Sequence, residues 1–264
     1  MNDIVTKYDA GTLASSLALG MMIAWFGGKW LGSRFSADHS EHSDSSPEFV
    51  SSKLGAYLAL FSLLLGFTFS MSLSGHERRI SMVVADSNSI GDFYICASLL
   101  KDPVRTKLRA VIREYAELHV TMARSRMDRV AWGNALQRNQ LLQAEMTNLV
   151  SGALTNGTPV AVPLINTLNA LTSASSARLN AVEDRVPGSV VLLLFTFALV
   201  TTMLDGIVEG NRGTAALVEV VGILSFIVLV ALTVFVTLDL DQPDRGLITV
   251  SQVSIDRLVS SLAR

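Results

Sequence analysis

The sequence predicts an all-α integral membrane protein: four transmembrane helices, with a helical cytoplasmic region between the second and third spans. Three observations carry this. Half of the 264 residues are hydrophobic and the mean hydropathy is +0.42. Only 17% are charged, against about 25% in an ordinary soluble domain. The apolar residues are also bunched into four runs long enough to cross a hydrocarbon core about 30 Å thick, which takes roughly 20 helical residues. The same balance excludes a disordered chain. Cys96 is the only cysteine, which excludes a disulfide scaffold. A net charge of −2 supplies no global basic field, so no nucleic-acid partner is expected.

The first run, Gly11 to Leu31, is the weakest, with Gly27, Gly28 and Lys29 near its end. Asp3 and Asp9 flank it along with Lys7, and no small-residue cleavage site closes it, so a retained helix is expected rather than a signal peptide. The second, Leu54 to Leu73, carries no charge. The third runs from Val186 or Ser189 to Val208, and the fourth from Ala215 to Leu238 with one acid, Glu219. This divides the chain into 1–75 (two spans and an outer loop), 76–186 (cytoplasmic helices), 187–240 (two spans) and 241–264 (a cytoplasmic tail).

Four spans place both termini and the long connection on one side. Of the 21 Lys and Arg residues, all but Lys29, Arg34, Lys53 and Arg212 fall on that side. The positive-inside rule therefore puts the termini in the cytoplasm and the protein in the cell inner membrane. A lone cysteine fits a reducing compartment.

About 110 residues separate the second and third spans, and they read as helices. Arg78 to Leu100 continues directly from the second span. Asp102-Pro103 reads as an N-cap with proline at the first helical position. Val104, Leu108, Val111, Ile112, Tyr115 and Leu118 then recur at helical spacing. Further helices are expected from Asp128 to Val150, ending near Asn156-Gly157, and from Pro163 to Arg185. After the fourth span, Pro243 and Gly246 end the helix. A short amphipathic helix with Ile255, Leu258, Val259 and Leu262 on one side follows, to lie on the membrane or against the cytoplasmic helices.

Little here points to catalysis. His39 and His42 with Asp38, Glu41 and Asp44 match no metal-site spacing and read as a solvated loop. His76 and His119 show no triad pattern, and Cys96 sits in an apolar helix. No enzyme, metal or cofactor is expected. The Arg78, Arg79, Asp86, Asn88 and Asp92 group reads as a salt-bridge network where the second span leaves the membrane.

The second span is more informative. Gly55, Ala59, Ser62, Gly66, Ser70 and Ser74 place small residues on one face. That face serves either close helix packing or a pore whose hydroxyls meet ions. Beside it, Ala59, Leu63, Phe67 and Met71 would make a hydrophobic constriction. Spacing alone does not choose. Asp205 and Glu209 share a helix face, and with Glu219 they form a candidate outer vestibule, Glu219 with Arg212 as a possible pair.

LLLGFTFSMSLSGHERR, VVADSNSIGDFY, LLKDPVR, DRVPGSVVLLL and LDLDQPDRGLITVS, in that order over residues 54–253, together resemble the bestrophin-like family of bacterial and plant membrane proteins. The resemblance implies a homo-oligomer, a pentamer by likeness to bestrophins, that passes anions passively. It places Ala59, Leu63 and Phe67 at the pore neck. Two acids after the last span do not supply the 6–8 oxygens that calcium takes, so calcium gating is not implied. The expectation is an oligomeric ion channel in the lipid bilayer, lined by Ala59, Ser62, Leu63, Gly66, Phe67, Ser70 and Ser74. The alternative is a non-conducting scaffold or signalling module whose cytoplasmic helices bind a partner. The cytoplasmic arginines and outer acids pull the charge preference in opposite directions.

Overall fold

A computed structural model describes residues 9–38, 47–124, 129–210, 217–242 and 246–262. They form eight helices: α1 (Ala10–Asp38), α2 (Pro47–Ser98), α3 (Val104–Arg124), α4 (Arg129–Thr155), α5 (Ala161–Glu183), α6 (Gly188–Gly210), α7 (Leu217–Asp241) and α8 (Val253–Leu262). No strand occurs among the described residues. Four of the helices are long and apolar enough to cross a membrane: Ala10–Arg34, Lys53–Ser98, Gly188–Gly210 and Leu217–Asp241.

The second span and the helix expected after it are one helix of 52 residues, about 78 Å long. The uncharged run Leu54–Leu73 is by itself long enough to cross a hydrocarbon core. The expected outer loop shrinks, because α1 runs on to Asp38 and α2 begins at Pro47. His39, Glu41, His42 and Asp44 lie outside the described residues, as do Arg212, Pro243 and the side chain of Asp38. α3 begins at Val104, one residue after the proline expected to open it. The Asp102 carboxylate accepts the Thr106 hydroxyl at 2.6 Å beside the first turn.

The chain forms two compact units, Met1–His76 with Arg185–Thr249, and Glu77–Asp184 with Val250–Arg264. In the first, α1 packs along α6 and α7. Its core holds Leu17, Met21, Trp25, Phe61, Leu194, Ala198, Ile227 and Val234. The closest approach is a crossing of glycines. A Cβ on Gly28 or Gly32 of α1 would overlap the carbonyl oxygen of Met203 or Ile207. A Cβ on Gly206 or Gly210 of α6 would overlap that of Trp25 or Lys29. Each helix thus presents a Gly-x-x-x-Gly pair to the backbone of the other, the arrangement that lets membrane helices touch. Gly28, one of the residues that make the first run look weak, is part of its tightest contact.

The far end of the same unit is tied by the carboxyl end of α7. Asp239 is buried and accepts the backbone N–H groups of Leu247 and Ile248, both at 2.9 Å. Asp241 Oδ1 accepts Val186 N–H at 3.1 Å, and Gln242 Oε1 accepts Ala10 N–H at 3.3 Å. Carboxylates at a helix C-terminus oppose the helix dipole, so these hydrogen bonds account for their placement. Gly246 is required here, because a Cβ would lie 2.8 Å from the Asp239 main-chain and carboxylate oxygens.

The second unit has its own core, with Ile90, Phe93, Leu108, Ile112, Tyr115, Leu142, Met146, Leu164, Leu171 and Ile255 almost fully buried. α4 ends where Gly157 takes φ +69°, the left-handed conformation glycine adopts most easily. The amphipathic α8 docks on α3. Ile255 and Leu262 are buried, and Arg113 donates to the Leu262 carbonyl. Of the two positions open to the tail helix, it takes the one against the helices of the second unit.

Gly28→Ala is expected to cost about 1–3 kcal/mol as an overpacked contact, and Gly27→Ala next to nothing, since no atom lies within 4 Å of its Cβ position. Thermal melting in detergent separates the two. By the same measurement Asp239→Ala should lose about 2–3 kcal/mol, having removed the acceptor of two charge-assisted hydrogen bonds.

Candidate functional site

The face of α2 singled out by its small residues is uncovered. Ala59, Ser62, Leu63, Gly66, Phe67, Ser70 and Ser74 are all exposed, Leu63 at 55% and Phe67 at 64%. No atom lies within 4 Å of a Cβ built on Gly55, Gly66 or Gly75, so these glycines do not pack against the chain's own helices. The opposite face is buried, at Phe61, Thr68 and Ser72. At 100° per residue, Ala59, Gly66, Phe67, Ser70 and Ser74 fall within about 60° either side of Leu63. Ser62 lies about 100° round, at the margin, with its hydroxyl turned back to the Leu58 carbonyl at 2.8 Å.

This span is also the least enclosed. Only 11% of its apolar window is buried, against 28%, 33% and 28% for the spans in α1, α6 and α7. The exposed faces of α6 and α7 are mainly bulky and aliphatic: Leu192, Leu193, Val200 and Met203 on α6, and Val221, Leu224, Val228, Leu229 and Leu232 on α7. Such faces suit lipid chains. The α2 face, with its glycines and hydroxyls, has a different composition.

Asp205, Glu209 and Glu219 line a single cavity of about 270 Å³ with Leu58, Thr201, Gly222, Ile223 and Phe226. Glu209 Oε2 accepts the Trp25 indole N–H at 3.1 Å. Glu219 Oε2 is buried with no hydrogen-bond partner among the described residues. Its pairing with Arg212 falls outside those residues.

The group after the second span resolves differently from its reading as one network. Arg79 is buried and turned to the end of α5, donating to the carbonyls of Ala181 at 3.0 Å and Asp184 at 2.6 Å. Arg78 reaches the Asp184 carboxylate at 3.2 Å in an exposed pair, worth little in stability. Asp92 and Asn88 line a surface cleft with Arg257.

Asp86 has other partners. Its Oδ2 accepts His119 Nδ1 at 2.8 Å and Arg178 at 2.7 Å, and His119 Nε2 lies 2.9 Å from Asn139 Oδ1. Arg178 also reaches Gln252 at 3.4 Å. The cluster therefore joins α2, α3, α4, α5 and the segment before α8. His119 has an acid partner that no local pattern announces, since Asp86 and Arg178 stand 33 and 59 residues from it. Burial opposes charge on Asp86, but the hydrogen bond and charge of His119 and the Arg178 guanidinium outweigh it and hold the carboxyl below its ordinary value. Burial pushes the neighbouring Tyr115 phenol up to about 12. A carboxylate with no exposed surface and a tyrosine so hard to ionise offer nothing to a substrate, so the cluster holds helices together.

A lowered folded value makes the Asp86 contribution present above its ordinary value near 3.8 and lost as pH falls through the folded value. Asp86→Asn should cost about 3–5 kcal/mol at pH 7, as expected for breaking a buried ion pair, and should flatten the loss of stability below pH 5. Helical melting followed from pH 7 to pH 3 checks both.

A family model of the bestrophin-like domain matches residues 19–255. No curated protein and no solved structure matches the chain. With most of its length matched, from α1 to α8, the chain belongs to the bestrophin-like domain family.

Proposed function

We propose that the protein is a passive ion channel, formed as a ring of identical copies with α2 lining the pore. One observation carries the reading: α2 is the least enclosed span, and its uncovered face brings Gly66, Ser70 and Ser74 together with Leu63 and Phe67, where α6 and α7 expose mainly bulky apolar side chains. A face of this kind is complete only against water or another copy, and closed symmetry supplies both. Leu63 and Phe67, with Ala59, form a hydrophobic neck that gates by dewetting. Ser70 and Ser74 present hydroxyls to the ion, and Ser62 and Gly66 border the next copy.

Membership of the bestrophin-like family supports a channel kind of function and an anion as the conducted species. The distribution of Lys and Arg supports an inner-membrane protein with the termini and the unit containing α3–α5 in the cytoplasm. Asp205, Glu209 and Glu219 then line an outer vestibule.

Planar bilayers under a salt gradient should show discrete openings of the purified oligomer. Phe67→Ala should raise open probability or conductance several-fold, and the reversal potential should report anion preference. In a Cys96→Ala background, Ser70→Cys should react with water-soluble thiol reagents while Leu192→Cys stays inert. Silent bilayers from an intact oligomer, with Ser70→Cys also inert, would assign the chain to a non-conducting scaffold.

A further inference from the structure

On α1, the outward side chains change character along one line. Leu19, Ile23, Phe26 and Trp30 recur at four- and three-residue steps and are 61%, 64%, 59% and 58% exposed. Arg34, exposed, comes one further turn on. The seam thus passes from aliphatic to aromatic to cationic. From Leu19 to Trp30 is about 16 Å along the helix, half of a hydrocarbon core about 30 Å thick. With Leu19 at mid-depth, Trp30 stands at the interface and Arg34 about 6 Å beyond, among the headgroups.

The two cations near this end are held over aromatic rings rather than paired with carboxylates. The Arg34 guanidinium stacks 4.8 Å over the Trp30 ring, and the Lys29 ammonium lies 5.0 Å over the Trp25 ring. Among the described residues neither forms an ion pair. Glu209 takes the Trp25 indole N–H and forms no ion pair with either cation.

We infer that Trp30 and Arg34 bind the phosphate headgroup of an anionic diacyl phospholipid whose chain lies along Phe26, Ile23 and Leu19. A guanidinium held over a ring by a cation–π contact keeps N–H donors available for phosphate oxygens. A second copy is a poorer occupant, because the seam exposes large side chains and its small exposed neighbours, Gly27 and Ser33, stand six residues apart and do not form the pair four apart that lets membrane helices approach.

The inference does not rest on conduction, and its test reads none. Full-length protein in detergent is offered phosphatidylglycerol or phosphatidylcholine of matched chains, and retained lipid is counted by native mass spectrometry. Phosphatidylglycerol should be retained about fivefold better, the preference expected from one cation near an anionic headgroup. Arg34→Gln should bring the two lipids to parity. Arg34→Lys, which keeps the charge and guards against misfolding, should keep part of the preference, and Trp30→Phe should weaken it. Arg138→Gln, far along the chain in α4, should leave it intact. Equal retention of the two lipids by the unaltered protein would overturn the inference, as would a preference surviving Arg34→Gln. Displacement of the lipid by millimolar inorganic phosphate would assign the site to a free anion and overturn it equally.

Discussion

The membrane-spanning unit depends on one backbone contact, the crossing of α1 and α6 at Gly28, Gly32, Gly206 and Gly210. Inside a hydrocarbon phase there is no hydrophobic force to drive helices together, so association must come from close packing and from satisfied polar groups. Four missing side chains supply the first. They also allow the second, because helices this close bring the Trp25 indole within reach of Glu209 and hold one acid of the cavity lined by Asp205, Glu209 and Glu219 in a fixed position. At the opposite end, Asp239, Asp241 and Gln242 do comparable work with side chains instead of their absence. They satisfy backbone N–H groups at the start of α1, before α6 and after α7.

Against that scaffold the span in α2 is an exception. Its buried face contributes Phe61, which meets the Phe226 ring edge-on at a centroid distance of 6.5 Å. Thr68 and Ser72 are buried on the same side, and the face centred on Leu63 is left uncovered. A lone helix can expose any apolar side chain to lipid without cost, so exposure alone says little. Composition decides: Gly66, Ser70 and Ser74 are poor lipid-facing residues beside the leucines and valines on α6 and α7. The seam on α1 makes the complementary case, since its residues grade in the order in which a bilayer grades from chains to headgroups.

The second unit solves a different problem. Its helices are less apolar and amphipathic, and they pack a conventional core around Tyr115, Ile112 and Leu142. Within that core lies a buried ion pair with an imidazole and two amides attached. Such a cluster is a weak source of net stability, since desolvation offsets the Coulomb gain. Its directional bonds instead fix the register of the helices that meet there, which apolar packing alone leaves looser.

The sequence by itself determined the elements. Four runs of the right length follow from the absence of water in the bilayer core, and the periodicity of Leu108, Val111, Ile112 and Tyr115 is enough to mark the buried side of α3. The end of α4 at Gly157 and the apolar side of α8 were legible for the same reason: they are local. Gly28 was visible too, yet it lies at the end of the weakest run and reads there as a defect. The tertiary structure decided what each element meets. Only it shows that Gly28 faces Met203, that Asp86 finds His119 and Arg178 rather than Arg79, and that Asp205, Glu209 and Glu219 share one cavity. It also shows that the small residues of α2 face away from the chain's own helices. These are contacts between residues far apart in sequence, set by how helices cross, and one-dimensional spacing does not record the crossing.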